Sequence, residues 1–121
     1  MASEEILLRV ELARIETAAG PLIEAIERRR AESGHWPQSL AEISLGFTGG
    51  AQEEIEDWYC YYRVLEPGAD GRGSEWEVEL SSKRSIESFV FRPLGDYPDS
   101  DVSADRRRLG RWMREIPLYD L

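Results

Sequence analysis

Three residue types that build most enzymatic and metal sites are nearly missing from this chain. Cys60 is its only cysteine, His35 its only histidine and Lys83 its only lysine. A lone cysteine excludes an internal disulfide, and it excludes any zinc or iron–sulfur site that draws several thiolates from one chain. A lone histidine excludes a metal centre resting on two imidazoles, and a Ser–His–Asp arrangement would have to use His35. Long apolar runs are missing too: nothing reaches bilayer-spanning length, and residues 1–20 lack the basic start and unbroken apolar stretch of a secretion signal. The expected setting is therefore the cytoplasm, with no membrane involved, or the periplasm if an N-terminal anchor has been removed.

What is present is charge and aromatic surface. The 121 residues carry a net charge of -9, with 32% charged and 41% hydrophobic residues. That hydrophobic content supports a folded chain with one core, read as a single domain over 1–121. The negative field repels phosphate backbones and anionic lipid, so nucleic acid is not expected as a partner and a basic protein is. Twenty-four acidic residues make chance pairs of carboxylates inevitable, so such pairs carry no catalytic information.

Apolar positions Leu8, Leu12, Ile15, Ala19, Leu22, Ile23 and Ile26 recur at helical spacing, predicting an amphipathic helix over 3–33. Gly20-Pro21 predicts a kink or short break near residues 17–21, because proline removes a backbone donor and crowds the preceding turn. Arg28, Arg29 and Arg30 suit the carbonyl end of that helix, the alternative being a phosphate site. Gly34 suits a left-handed stop, and Ser39-Leu-Ala-Glu42 reads as a capping box opening a short helix over 39–45.

Residues 58–64 alternate, with Trp58, Cys60, Tyr62 and Val64 on one side and Tyr59, Tyr61 and Arg63 on the other. Glu75–Leu80 alternates in the same way, and the two runs predict an antiparallel hairpin. A third strand is expected over Ser85–Arg92 through Ile86, Phe89, Val90 and Phe91, ended by Pro93. For residues 105–113 a short basic helix and a last strand both fit, and the tail from Ile116 is expected to be irregular.

The stretch Gly34-His35-Trp36-Pro37-Gln38-Ser39-Leu40-Ala41-Glu42-Ile43 resembles the Gly-x-aromatic-Pro-x-Ser-Leu passage of pilin-like soluble domains, such as those of type II secretion pseudopilins. The resemblance covers roughly residues 10–45. It implies an α+β fold in which a long kinked N-terminal helix packs on a three- to four-stranded antiparallel sheet, with Trp36 filling the seam. It also implies an exposed His35.

The expected working surface is the acidic and aromatic run Glu53, Glu54, Glu56, Asp57, Trp58, Tyr59 and Tyr61. Rings supply anchoring area and acids steer a basic partner. The alternative is that the segment around Leu109 and Trp112 covers Tyr59 and Tyr61 as a second layer. Cys60 shares the phase of Trp58 and Tyr62 and is read as a buried inert thiol. Asp96, Asp99, Asp101 and Asp105 lie in one loop; solvated acids are expected there, with calcium as the alternative, and their spacing is not that of an EF-hand. Gly68, Gly71 and Gly73 lack the lysine of a phosphate loop. No catalytic residue, metal or cofactor is expected. The functional expectation is a protein-binding domain, such as an acidic immunity-type inhibitor of a basic bacterial toxin; the alternative is the soluble head of a pilin-like structural subunit.

Overall fold

The computed structural model describes residues 2–43, 53–65, 73–97 and 104–117. The chain divides into two compact units, Met1–Phe47 and Thr48–Leu121. Together they hold one N-terminal helix and an antiparallel sheet, an α+β composition.

The first unit is helix α1, Ala2–Ser33, followed by a single 3-10 turn at Leu40–Glu42. α1 runs without interruption through Gly20 and Pro21, so the short break anticipated there does not form. Pro21 is exposed, and what it removes is one ladder bond to the Thr17 carbonyl. The remaining helical bonds and the buried stripe of Ile15, Ala19, Leu22 and Ile26 outweigh that loss. Leu8, Leu12 and Ile23 flank the stripe and are half-buried.

Gly34 ends the helix as its position suggests: its φ is +84°, and its N–H donates to the Arg30 carbonyl at 2.9 Å. The Arg30 guanidinium donates to the Gly34 carbonyl and lies 5.5 Å from the centre of the Trp36 ring. Arg30 thus serves the helix end. Trp36 is only half-buried beneath it, and Pro37 is the residue this turn buries completely. The capping box is not formed as drawn. Ser39 makes no side-chain cap bond, while Glu42 Oε2 accepts from the Gln38 N–H at 2.6 Å, one residue earlier than a box requires.

The second unit is a six-stranded sheet, in place of the three or four strands anticipated. Its strands are β1 (Glu53–Ile55), β2 (Trp58–Val64), β3 (Trp76–Ser82), β4 (Ser88–Phe91), β5 (Ala104–Leu109) and β6 (Trp112–Pro117). The order across the sheet is β1-β2-β3-β4-β6-β5, and every neighbouring pair is antiparallel.

The additional strands come from two tight hairpins. Ile55 pairs with Trp58 across a loop of Glu56 and Asp57, where Glu56 takes the left-handed φ of +52°. Glutamate is an unusual residue at such a left-handed position, and no glycine marks the loop, which hid this turn. Leu109 pairs with Trp112 across Gly110 and Arg111, with Gly110 at φ +65°. That pairing settles residues 105–113 as strand rather than helix, and it extends β6 through Ile116 and Pro117, which the sequence reading left irregular. β4 is shorter than anticipated. The Ser82 Oγ accepts from the Arg84 and Ser85 N–H groups at 3.1 Å each, folding the chain into bends, so Ile86 is exposed instead of entering the sheet.

Alternation gives the sheet two unlike faces. In-register pairs place Cys60 beside Leu80, Tyr62 beside Val78, Leu80 beside Phe89 and Phe91 beside Trp112 on one face. There a row of rings crosses four strands: Tyr62 to Trp76 at 6.2 Å, Trp76 to Phe91 at 5.7 Å and Phe91 to Trp112 at 5.2 Å between centroids.

Candidate functional site

The opposite face of the sheet is polar, and it carries the two tyrosines of the anticipated surface. Tyr59, Tyr61 and Arg63 project from β2 beside Ser81, Glu79 and Glu77 of β3, and Glu54 of β1 lies next to Tyr59. Both rings are half-buried. Each sits beneath a cation, with Lys83 Nζ 5.3 Å from the Tyr59 centroid and the Arg63 guanidinium carbon 5.9 Å from that of Tyr61.

The cations are themselves held. Lys83 Nζ is bonded to Glu54 Oε1, and Arg63 forks between Glu77 Oε2 and Glu79 Oε1 at 2.7 Å each. Burial alone would lower the Arg63 pKa, yet the bonds and field of Glu79 and Glu77 hold it above its ordinary value. Glu77 also accepts from Arg92 Nε at 2.9 Å, so one carboxylate joins two guanidinium groups. The result is a ledge of two rings whose roofing charges are fixed in place.

Behind the ledge, the corner after β4 is tied down. The Tyr97 hydroxyl accepts from the Arg92 N–H at 3.0 Å and lies 2.7 Å from the Val90 carbonyl oxygen and against that of Arg111. Burial raises its pKa well above the usual phenol range, so it stays a donor. Asp96 takes N–H bonds from Gly73 at 2.6 Å and Ser74 at 3.0 Å, and the Ser74 hydroxyl as well. Burial would raise this carboxyl; the bonds from Ser74 and Gly73 prevail and lower it. Asp96 is therefore engaged within the protein and is not a solvated loop acid. Asp99 and Asp101 lie outside the described residues. Gly95 has a φ of +64°, and a Cβ there would meet Arg108 Nη2 at 2.9 Å.

The anticipated surface residues do not all share this face. Glu54, Tyr59 and Tyr61 do, and Glu56 and Asp57 occupy the adjoining exposed loop, with Asp57 Oδ1 3.6 Å from Arg84 Nη2. Glu53 and Trp58 point to the apolar face. Glu53 is buried opposite Cys60, and Trp58 meets Phe89 edge-on at 5.7 Å. A one-residue step along a strand reverses the face, so a set that includes neighbours such as Glu53 and Glu54, or Trp58 and Tyr59, cannot form one surface. The alternative covering layer is also absent: Leu109 and Trp112 are sheet residues, and Trp112 packs on the apolar face.

The sequence reading missed Lys83, Arg63, Glu77, Glu79 and Arg92. Strict alternation over 75–80 put Glu77 and Glu79 on the outer face, which was the available signal; that Arg63 and Arg92 would meet them depends on strand register. The outer strands also differ in charge. Glu53 and Glu54 lie on β1 at one edge, and Arg106, Arg107 and Arg108 on β5 at the other. Arg106 Nε lies 3.0 Å from Glu115 Oε1 as an ion pair, and Arg114 Nε donates to Glu87 Oε2 at 3.0 Å.

The nucleophile candidate faces away from the ledge. Cys60 is buried on the apolar face, where burial and then the Glu53 carboxylate push its thiol up to about 12, so it carries no thiolate near neutral pH. His35 is exposed in the turn after α1. Among the described residues, no three His, Cys, Asp or Glu side chains gather as a metal ion would need. No described helix is long and apolar enough to cross a membrane. Comparison with known family models, curated proteins and solved structures finds no match to this chain.

Proposed function

We propose that this chain is a non-enzymatic protein-binding domain, most concretely a small acidic immunity-type inhibitor that covers a basic surface of a secreted bacterial toxin. The observation that carries this reading is the pair Tyr59 and Tyr61, half-exposed side by side on the polar face under cations locked by Glu54, Glu77 and Glu79. Rings in that setting offer amphipathic contact area whose rotamers are already restricted, so ordering them on binding costs little. The acids of the ledge are largely neutralised by their own cations. Steering of a basic partner then falls to the exposed Glu56–Asp57 loop and to the net charge of -9.

Calorimetric titration against the product of the adjacent gene tests the reading. Binding is expected at micromolar concentration or tighter, weakening as salt rises, with Tyr61→Ala costing roughly tenfold or more in affinity. No binding at micromolar concentration and low salt would overturn it.

A second reading is the soluble head of a pilin-like structural subunit. It is favoured by the left-handed Gly34 stop and the buried Pro37, which in chain order follow a long helix and precede the strands of an antiparallel sheet. An encoded apolar segment of about 20 residues upstream of Met1 would support this reading over the first.

A further inference from the structure

α1 is apolar on two opposite sides, and only one of them is buried. At about 100° per residue, Ile15, Ala19, Leu22 and Ile26 form one stripe, and Ile6, Val10, Ala13 and Thr17 form another on the far side. The first stripe is fully sealed, whereas Ile6 is 60% exposed and Val10 48%, with Leu7 beside them at 67%. Thr17 adds to the apolar character of the second stripe, because its Oγ1 donates to the Ala13 carbonyl at 2.9 Å. Its hydroxyl is thereby turned back on the helix.

We propose that this second stripe is the contact surface for a second copy of the chain, in an antiparallel two-fold helix pair. Residue sizes and charge both select that orientation. The stripe is bulky at its start, Ile6 and Val10, and small at its end, Ala13 and Thr17. Antiparallel pairing sets Ile6 against Thr17 and Val10 against Ala13 of the second copy, large against small, as close packing requires. Arg9 and Glu16 lie on one flank of the stripe, two turns apart, and both are exposed. The two-fold then brings Arg9 of each copy beside Glu16 of the other, giving two symmetric opposite-charge contacts. A parallel pair sets Ile6 against Ile6 and Thr17 against Thr17 and leaves that charge pairing unmade.

The contact spans roughly 18 Å of helix, short of what permanent dimers bury, so association depends on concentration. It uses none of the residues of the tyrosine ledge.

Sedimentation equilibrium of the full chain, over about 10–500 µM at low salt, tests the proposal. The mass is expected to climb from 13.9 kDa toward twice that value. Arg9→Glu alone and Glu16→Arg alone each place like charges together, and each should weaken association roughly tenfold or more. An equimolar mixture of the two variants should associate again as a heterodimer, a result specific to antiparallel Arg9–Glu16 contacts. Val10→Glu, at an exposed site, should hold the chain monomeric, with circular dichroism confirming its fold. Three results would overturn the proposal: a monomer throughout the range, unchanged association of Arg9→Glu, or a mixture no tighter than its components.

Discussion

The two faces of the one sheet are built from opposite kinds of side chain. On the apolar face, Tyr62, Trp76, Phe91 and Trp112 form a row of tilted rings beside Cys60, Val78 and Leu80; on the other, Arg63, Glu77, Glu79 and Arg92 form a ladder of charge beside Tyr59 and Tyr61. The same strands supply both, by alternation. Apolar stacking draws on area removed from water and tolerates no loss of volume, whereas an ion-pair ladder at half exposure contributes mainly position. The apolar face should therefore dominate stability, and the polar face should dominate what the surface presents to a partner.

The largest expected effect is on the ring row. Trp76 is completely buried between Tyr62 and Phe91, so Trp76→Ala should cost about 3–5 kcal/mol by denaturant titration. A cost below about 1 kcal/mol would erase the distinction between the faces.

Next comes the one place where, among the described residues, the polar face has a buried charge. Glu77 joins Arg63 to Arg92, whose side chain is only 8% exposed. Glu77→Ala removes both of these contacts and should cost about 2–3 kcal/mol, against about 0.5 kcal/mol for Glu79→Ala, whose pair with Arg63 is more exposed. Equal costs would show that burial of Arg92 does not matter.

A smaller effect than that of Glu77 is expected at Asp96, and it depends on pH. Its folded pKa is lowered by the Ser74 and Gly73 bonds, which prevail over burial. The stability this provides is complete above the unfolded value near pH 4 and is lost as pH falls through the lower folded value. Asp96→Asn should therefore cost about 1 kcal/mol at pH 7 and less at pH 3, read as the difference in thermal midpoints. A penalty of the same size at both pH values would mean that the carboxylate's charge plays no part.

Much of this was legible in the residues. The alternation of 58–64 and 75–80, the helical period from Leu8 to Ile26 and the Gly34 stop each express a local rule, and each element formed close to where its pattern lies. β1 was not legible, because Glu53-Glu54-Ile55 has the composition of a solvated loop and becomes a strand only through pairing with β2. The candidate surface was half legible. Phase along β2 separated Tyr59 and Tyr61 from Trp58, but the burial of Glu53 opposite Cys60 and the cations over both rings arise from neighbours distant in sequence.

By itself, then, the sequence determined helix against strand for α1, β2 and β3, the inward and outward residues of those longer strands, the left-handed glycine stop and the absence of any multi-thiolate or two-histidine centre. These depend on a residue's own backbone preference, on its side-chain period or on simple counting. Tertiary structure alone decided that six strands pair in the order β1-β2-β3-β4-β6-β5, that Arg63 and Arg92 share Glu77, and that Ile6 and Val10 are left exposed on α1. Those outcomes depend on which segments meet across long stretches of chain, and the entropy of closing such loops is set by the whole fold and not by any local window.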